Sequence, residues 1–321
     1  MTARSAVAIG GGTGLPLVLR CMLAAGFDTT AVVTVADDGG SSGHLRRELG
    51  MLPPGDIRNC LVALAEPDSE LARVFQYRFP SGEGLAGHAL GNLIIAALAD
   101  LEGGFAEAVE AAGLLLGVRG RVFPATLADV VLSGRDREGR LVIGQARVAE
   151  TEGPIARVCL EPAGVPGYPP ALDAVRGADV VVIGPGSLFT SILPNLLVHG
   201  VAKAVREAEA PRIYVANVMT QPGETEGFSV YDHVRWIKDV LGQYPDVVLV
   251  NETKVPGDIL EKYRETGSEP VLLKEREEAH LAREKVQVIR GDFLEITPGG
   301  LVRHQTQRVS EAIMKVSRDR K

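Results

Sequence analysis

The stretch Ser5-Ala6-Val7-Ala8-Ile9-Gly10-Gly11-Gly12-Thr13-Gly14-Leu15-Pro16, residues 5–16, runs from a short apolar segment straight into glycines. A helical pattern follows, with Leu15, Leu19, Met22 and Leu23 spaced for one face. Pro16 stands near the start of that helix, where its missing N–H costs nothing. Ala31–Ala36 repeats the buried-strand signature and closes on Asp37-Asp38. Strand, glycine loop, helix, strand is the opening of a doubly wound α/β fold, with a mostly parallel sheet and helices on both faces.

Outward from this opening, the pattern is helical over Asp56–Ala65, Ser69–Phe79, Ala86–Asp100 and Phe105–Leu116. Leu127–Leu132, Leu141–Val148 and Ile155–Leu160 read as strands around a polar turn at 134–139. The chain therefore divides into a core over 1–120 and 168–321 and a small β-rich insertion over 121–167. The α/β rhythm resumes with a strand at Asp179–Ile183, the loop Gly184-Pro185-Gly186-Ser187 and a helix over Leu193–Ala208. Further strands are expected at Arg212–Ala216 and Val247–Val250, with a helix at Tyr231–Leu241 between them. Lys274–Lys285 reads as a solvated helix, Val286–Ile296 and Leu301–His304 as edge strands, and the last dozen residues as a helix.

Of the 321 residues, 45% are hydrophobic and 23% charged, which supplies ample material for a core and excludes wholesale disorder. A formal charge of −7 with no Lys/Arg-dense stretch argues against general affinity for nucleic acid or an anionic membrane. Cys21, Cys60 and Cys159 form no Cys-x-x-Cys pair and no zinc-spaced cluster. The first apolar run is too short for a signal peptide, and nothing reaches the roughly 18 apolar residues of a membrane helix, so a cytoplasmic protein is expected.

The first loop has the strongest chemical case. Glycines after a buried strand let backbone amides approach a phosphate, and the following helix N-terminus adds a favourable dipole. Gly10, Gly11, Gly12, Thr13 and Gly14 do not match the dinucleotide fingerprint, because Leu15 stands where its third glycine belongs, and there is no Walker lysine. Asp37 and Asp38 close the second strand, where carboxylates suit Mg²⁺ or a ribose hydroxyl, although Asp-Asp-Gly-Gly is also an ordinary turn. Gly39–Gly43 fits the nucleophile-elbow pattern around Ser41, but a strongly polar segment follows it; an anion-binding loop using Ser41, Ser42 and Arg46 is the better reading.

Asp56 reads as an N-cap, with Arg58 and Asn59 in the first turn as anion or sugar contacts. His88 and Asn92, four residues apart at a helix start, share one face. Gly184, Pro185, Gly186 and Ser187, with Thr190 and Ser191, repeat the logic of the first loop, so that the two loops would suit two ends of one phosphorylated ligand. Asn217 and Gln221 follow a strand and could read a base or sugar.

As an ordered set, Gly10–Gly14, Asp37–Gly43, Pro54–Asn59, Gly87–Asn92, Gly184–Ser191 and Asn217–Glu224 resemble the bacterial gluconeogenesis factor family, which is related to 2-phospho-L-lactate transferase. The resemblance covers nearly the whole chain. It implies a Rossmann-like core with an inserted subdomain, a homodimer, binding of UDP-sugars, and a role in cell shape and envelope synthesis on gluconeogenic carbon sources. GDP and NAD remain open as ligands. In the transferase branch, acids near the second strand hold Mg²⁺ against donor phosphates, and Asp37 and Asp38 are the matching positions. The resemblance thus leaves a second expectation, a Mg²⁺-dependent transferase in which Asp38 or His88 takes a proton from the acceptor. The loop after Asp38, Gly-Gly-Ser-Ser-Gly followed by basic residues, is that of the gluconeogenesis-factor branch.

Overall fold

The computed structural model describes residues 3–136, 138–149 and 155–318. Seven strands form one parallel sheet: β1 (Ser5–Gly10), β2 (Asp28–Val33), β3 (Gly120–Pro124), and, numbered past the insertion, β7 (Val180–Ile183), β8 (Arg212–Val215), β9 (Val247–Asn251) and β10 (Gln287–Gly291). Their order is β10-β9-β8-β7-β1-β2-β3, with every neighbouring pair parallel. The chain runs outward from β1 through β2 to β3, then returns to the opposite side of β1 and runs outward again. The reversal between β1 and β7 opens a crevice at the carboxyl ends of those two strands, the usual ligand position in doubly wound sheets.

The sheet is buried on both faces, which is why its strands read as continuous apolar runs. Alternation assigns Val7 and Ile9 to one core and Ala6 and Ala8 to the other. Helices Pro169–Arg176 and Val230–Leu241 cover the first core; Leu15–Ala24, Gly55–Leu64, Phe105–Leu116 and Thr306–Arg318 cover the second. No helix among the described residues is long and apolar enough to cross a membrane.

Several boundaries differ from the sequence expectation. The strand at 120–124 belongs to the main sheet, so a division at 120/121 cuts through it. The small antiparallel sheet consists of β4 (Val131–Asp136), β5 (Leu141–Ile143) and β6 (Ile155–Glu161), in the order β5-β4-β6. The strand expected over Leu141–Val148 ends at Ile143, and after Gly144 (φ +107°) the chain turns into a short helix, Gln145–Ala149. The polar turn expected over 134–139 includes residue 137, which lies outside the described residues, as do 150–154 of the insertion. Leu132, Val148, Val158 and Leu160 join the main core, so the insertion shares its hydrophobic interior with the large sheet.

The helix expected over Leu193–Ala208 is in two pieces, Leu193–Leu197 and Val201–Glu207, with a wide π-turn at Leu188–Ile192 before them. The break follows from His199, whose N–H bonds the Val165 carbonyl and whose carbonyl accepts the Gly167 N–H. The loop expected at Gly39–Gly43 instead opens a helix, Gly40–Leu49, that buries Ser41, Ser42, Gly43 and Leu45 and ends at left-handed Gly50. Beyond the sheet, β11 (Leu294–Ile296) and β12 (Val302–His304) pair as an antiparallel hairpin.

The two glycine loops touch. A Cβ on Gly14 would stand 2.5 Å from the Pro185 carbonyl oxygen, and backbone on both sides leaves little room to yield. Gly14→Ala should therefore lose stability on the scale of overpacking, about 1–3 kcal/mol. A urea midpoint unchanged from wild type would show that the loops are not held together.

Candidate functional site: a cleft at the meeting of two glycine loops

A cleft of about 480 Å³ opens at the β1/β7 reversal. Gly12, Thr13 and Gly14 form one wall, and Pro185, Gly186, Ser187 and Ser191 the other. Asn217 and Gln221 line its far end, as the sequence suggests, and both hold the second loop in shape. The Asn217 amide accepts the Gly186 N–H at 3.3 Å and donates to the Gly186 carbonyl at 2.9 Å. Gln221 Nε2 donates to Ser187 Oγ at 2.6 Å, while its buried Oε1 has no partner. Thr190 turns away from the cleft and donates to Glu224 at 2.9 Å. Burial raises the Glu224 carboxyl above its ordinary range, against the Thr190 bond and others that lower it. Gly10 ends β1, and its carbonyl accepts the buried Asn195 amide at 2.8 Å. Gly184 precedes Pro185 through a cis peptide.

Behind the first loop lies a second group of predicted residues. Asp56 Oδ2 accepts the Gly12 N–H at 2.7 Å, so this half-buried carboxylate shapes the loop from behind. Gly11 must be glycine here: a Cβ would fall 2.6 Å from Asp56 Oδ2 and 2.9 Å from Thr34 Cγ2. Burial pushes the Asp56 carboxyl up to about 6, outweighing the Gly12 bond, and the nearby Asp37 charge adds to the rise. Asp37 is itself raised by burial; its Oδ1 accepts the Gly39 N–H at 3.0 Å. Ser42 Oγ accepts the Gly55 N–H at 3.1 Å, which joins the start of the 40–49 helix to the start of the 55–64 helix.

Arg58 is 5% exposed, and its hydrogen-bond partners are the neutral amides of Asn92 (3.0 Å) and Asn59 (2.8 Å). A buried guanidinium without a paired carboxylate is costly, so its positive field suits a place where negative charge arrives. Ser41, 3.1 Å from His88 Nδ1 and 3.0 Å from Asn92 Nδ2, completes the cluster.

Two predicted residues do other work. Asp38 accepts the backbone N–H groups of Gln145 and Ala146, both at 3.0 Å, and so caps the insertion's short helix. Arg46 donates to the Val130 carbonyl at 2.7 Å and pairs with Asp129 at 2.5 Å. Gln145 Nε2 also reaches the Thr190 carbonyl at 3.3 Å, so the insertion is tied to both sides of the site. Sequence reasoning missed Arg20, on the helix that follows the first loop, and Tyr263, Arg303 and His304, which line the cleft from distant elements. Tyr263 Oη accepts the Val302 N–H at 2.9 Å, and His304 Nε2 donates to the Ala216 carbonyl at 2.9 Å, which anchors the β11–β12 hairpin as a wall. Local sequence gives no signal for these four. Among the described residues, no group of three or more His, Cys, Asp or Glu side chains is placed to hold a metal ion.

Residues 6–294 match the model of the family described as 2-phospho-L-lactate transferase CofD. The chain belongs to that family. It is 43% identical to the gluconeogenesis factor of Bacillus subtilis, over 97% of each chain. It is 42% identical to that of Listeria monocytogenes, over 96% of this chain and 94% of the other. A crystal structure of a Bacillus halodurans protein superposes with a TM-score of 0.93 at 42% identity, covering 98% of this chain and all of that one. The strand order points to the β1/β7 crevice as the place to look for function.

The site makes stability depend on pH. Between the ordinary Asp value of 3.8 and about 6, the folded protein keeps a proton on Asp56 that the unfolded chain has released. Stability therefore falls as pH rises through that window. Asp56→Asn keeps an acceptor for Gly12 and should flatten the fall in melting temperature, leaving the smaller slope due to Asp37 and Glu224, which are raised in the same sense. An unaltered slope in thermal melts across that range would refute the assignment.

Proposed function

We propose that this chain is a cytoplasmic regulatory protein that binds a nucleotide sugar, UDP-sugars first, with the diphosphate laid across the two glycine loops. The observation that carries this reading is the cleft at the strand reversal, walled by two glycine loops and edged by Arg20 and Arg303, neither of which has an ion-pair partner among the described residues. In a chain of net charge −7, two such cations lining the cleft supply positive charge to attract a diphosphate against the carboxylates behind the loop. The volume of about 480 Å³ suits a small ligand of this class. Asn217 and Gln221, each held by a bond to the second loop, would meet base or sugar. The names of the relatives support a role in gluconeogenic growth, and we extend to this chain the expected role in cell shape and the homodimer, which light scattering tests.

Mg²⁺ fits the donor set in one way. Asp38 has both oxygens occupied by backbone N–H groups, whereas Asp37 and Asp56 lie close enough for their charges to interact. Mg²⁺ is commonly held by one or two carboxylates and completed by ligand phosphates. Asp37 and Asp56 would hold it, and it would neutralise phosphate charge there. The same pair favours a second reading, a transferase of a phosphorus-containing group from a nucleoside diphosphate donor, as the family description suggests for its namesake. The two readings separate on recovery of the nucleotide: a sensor returns it intact, and a transferase consumes it once an acceptor is supplied.

Calorimetric titration with UDP-sugars, GDP and NAD tests the proposal. Arg303→Ala and Asn217→Ala should each weaken UDP-sugar binding about tenfold, the scale of a lost hydrogen bond to a charged group. Equal affinity in both variants would remove the ligand from this cleft. In Mg²⁺-free buffer near pH 6, an arriving diphosphate should raise the Asp56 carboxyl further, so binding takes up protons. Added Mg²⁺ should abolish that uptake. Comparison of binding heats in buffers of different ionisation enthalpy reads both effects, and no proton uptake in either condition would place the phosphates away from Asp56.

A further inference from the structure

We propose that His88 serves the site as a hydrogen-bond donor through Nε2, in a tautomer set by the relay Arg58–Asn92–Ser41, and that it meets an anionic oxygen of the ligand rather than acting as a base. The inference rests on the nucleotide-diphosphate reading for the ligand; the tautomer itself does not.

The relay starts from a group that can only donate. Arg58 approaches Asn92 Oδ1 at 3.0 Å, and because guanidinium has no acceptor, the amide must turn its oxygen to Arg58. The Asn92 nitrogen then faces Ser41, 3.0 Å from Oγ, and donates to it. Ser41 is buried, and its hydroxyl has one other partner, His88 Nδ1 at 3.1 Å. Were Nδ1 to carry the proton, the Ser41 hydroxyl hydrogen would be buried without an acceptor, a penalty of about 1–3 kcal/mol. The arrangement with every hydrogen placed has Ser41 donating to an unprotonated Nδ1. The ring proton then sits on Nε2.

His88 Nε2 has no hydrogen-bond partner among the described residues and is not among their buried atoms lacking one, so it reaches solvent; the ring stands edge-on to His44, with centroids 5.8 Å apart. Its position follows from the chain of contacts: Ser41 adjoins Ser42, Ser42 holds the Gly55 N–H, and the next residue, Asp56, holds the Gly12 N–H of the phosphate loop. An N–H offered on that side of the loop suits a phosphoryl oxygen. It cannot accept a proton from an acceptor hydroxyl without dismantling the relay. Arg58, Asn92 and Ser41 are positioning residues that act through His88.

Two measurements test this. Nitrogen NMR of isotope-labelled histidine, with His88 assigned by its loss in His88→Gln, should show at neutral pH a proton on Nε2 and none on Nδ1. Ser41→Ala should mix the two tautomers while the protein stays folded by thermal melting. A proton on Nδ1 in the wild type overturns the relay, with or without ligand. In titrations with UDP and a UDP-sugar, His88→Gln, which keeps an N–H near the Nε2 position, should bind within about threefold of wild type, and His88→Ala about tenfold more weakly. Wild-type affinity in His88→Ala, or equal weakness in both variants, overturns the donor role. If the wild type binds neither probe while the tautomer is as stated, the ligand reading fails and the relay stands.

Discussion

The hydrogen bond from the Gly12 N–H to the Asp56 carboxylate is the constraint around which the site is arranged. It places a half-buried carboxyl group directly behind a loop whose form suits an anion. That is unfavourable by itself, as the upward shift of Asp56 shows. The surroundings offset it in two ways. The buried Arg58 guanidinium stands nearby with only amide partners, and its charge favours the ionised form of Asp56. Gly11 and Gly55 remove the side chains that would crowd the carboxylates and Ser42. The result is a small reserve of opposed charges, two carboxylates and one guanidinium, whose balance shifts when a phosphate or a cation arrives.

The insertion belongs to this arrangement through its anchoring points. Asp38, one residue from Asp37, caps the Gln145–Ala149 helix, and Gly144 packs so closely on Asp38 that a side chain there would collide with its carboxylate. Arg46, on the helix that carries Ser41 and Ser42, is fixed to Asp129 and Val130. A displacement of the loop after β2 would pull on the small sheet, and a displacement of the small sheet would pull on that loop. The shared hydrophobic core makes the two move as neighbours within one packed interior.

Much of this was legible in the sequence where local pattern and global fold agree. Ser5–Gly14 announces a strand buried on both faces followed by a glycine turn, and the sheet order places that turn at the crevice. Residues 40–49 were not legible as a helix, because Gly39-Gly40-Ser41-Ser42-Gly43 has poor intrinsic propensity. Tertiary contacts decide it: Ser41, Ser42 and Leu45 are buried, and Gly50 closes the last turn. Asp38 and Arg46 have the right chemistry for a ligand site, but their partners lie about 85 to 110 residues away in the insertion, beyond the reach of any local reading. Tyr263 and Arg303 reach the cleft because the chain returns across the sheet and folds a hairpin beside it, and Arg20 because it lies on the helix after the first loop; no local motif marks them.

The departure of the first loop from the dinucleotide fingerprint has a structural reason. In that fingerprint the third glycine permits close packing of helix on strand. Here Leu15 occupies the position, fully buried, with its side chain 3.5 Å from where a Gly10 Cβ would stand. Leu15 thus takes up the space between strand and helix, and the glycines serve other contacts. Gly11 admits Asp56 and Thr34, and Gly14 admits the Pro185 carbonyl of the second loop. Half of the glycine density is therefore demanded by the protein's own backbone and carboxylates, before any ligand is considered. This part of the loop is preorganised: Asp56 holds the Gly12 N–H, and Gly14 abuts the second loop. The side chains that border it are the Asp37–Asp56–Arg58 charges on one side and the Arg20–Arg303 pair on the other.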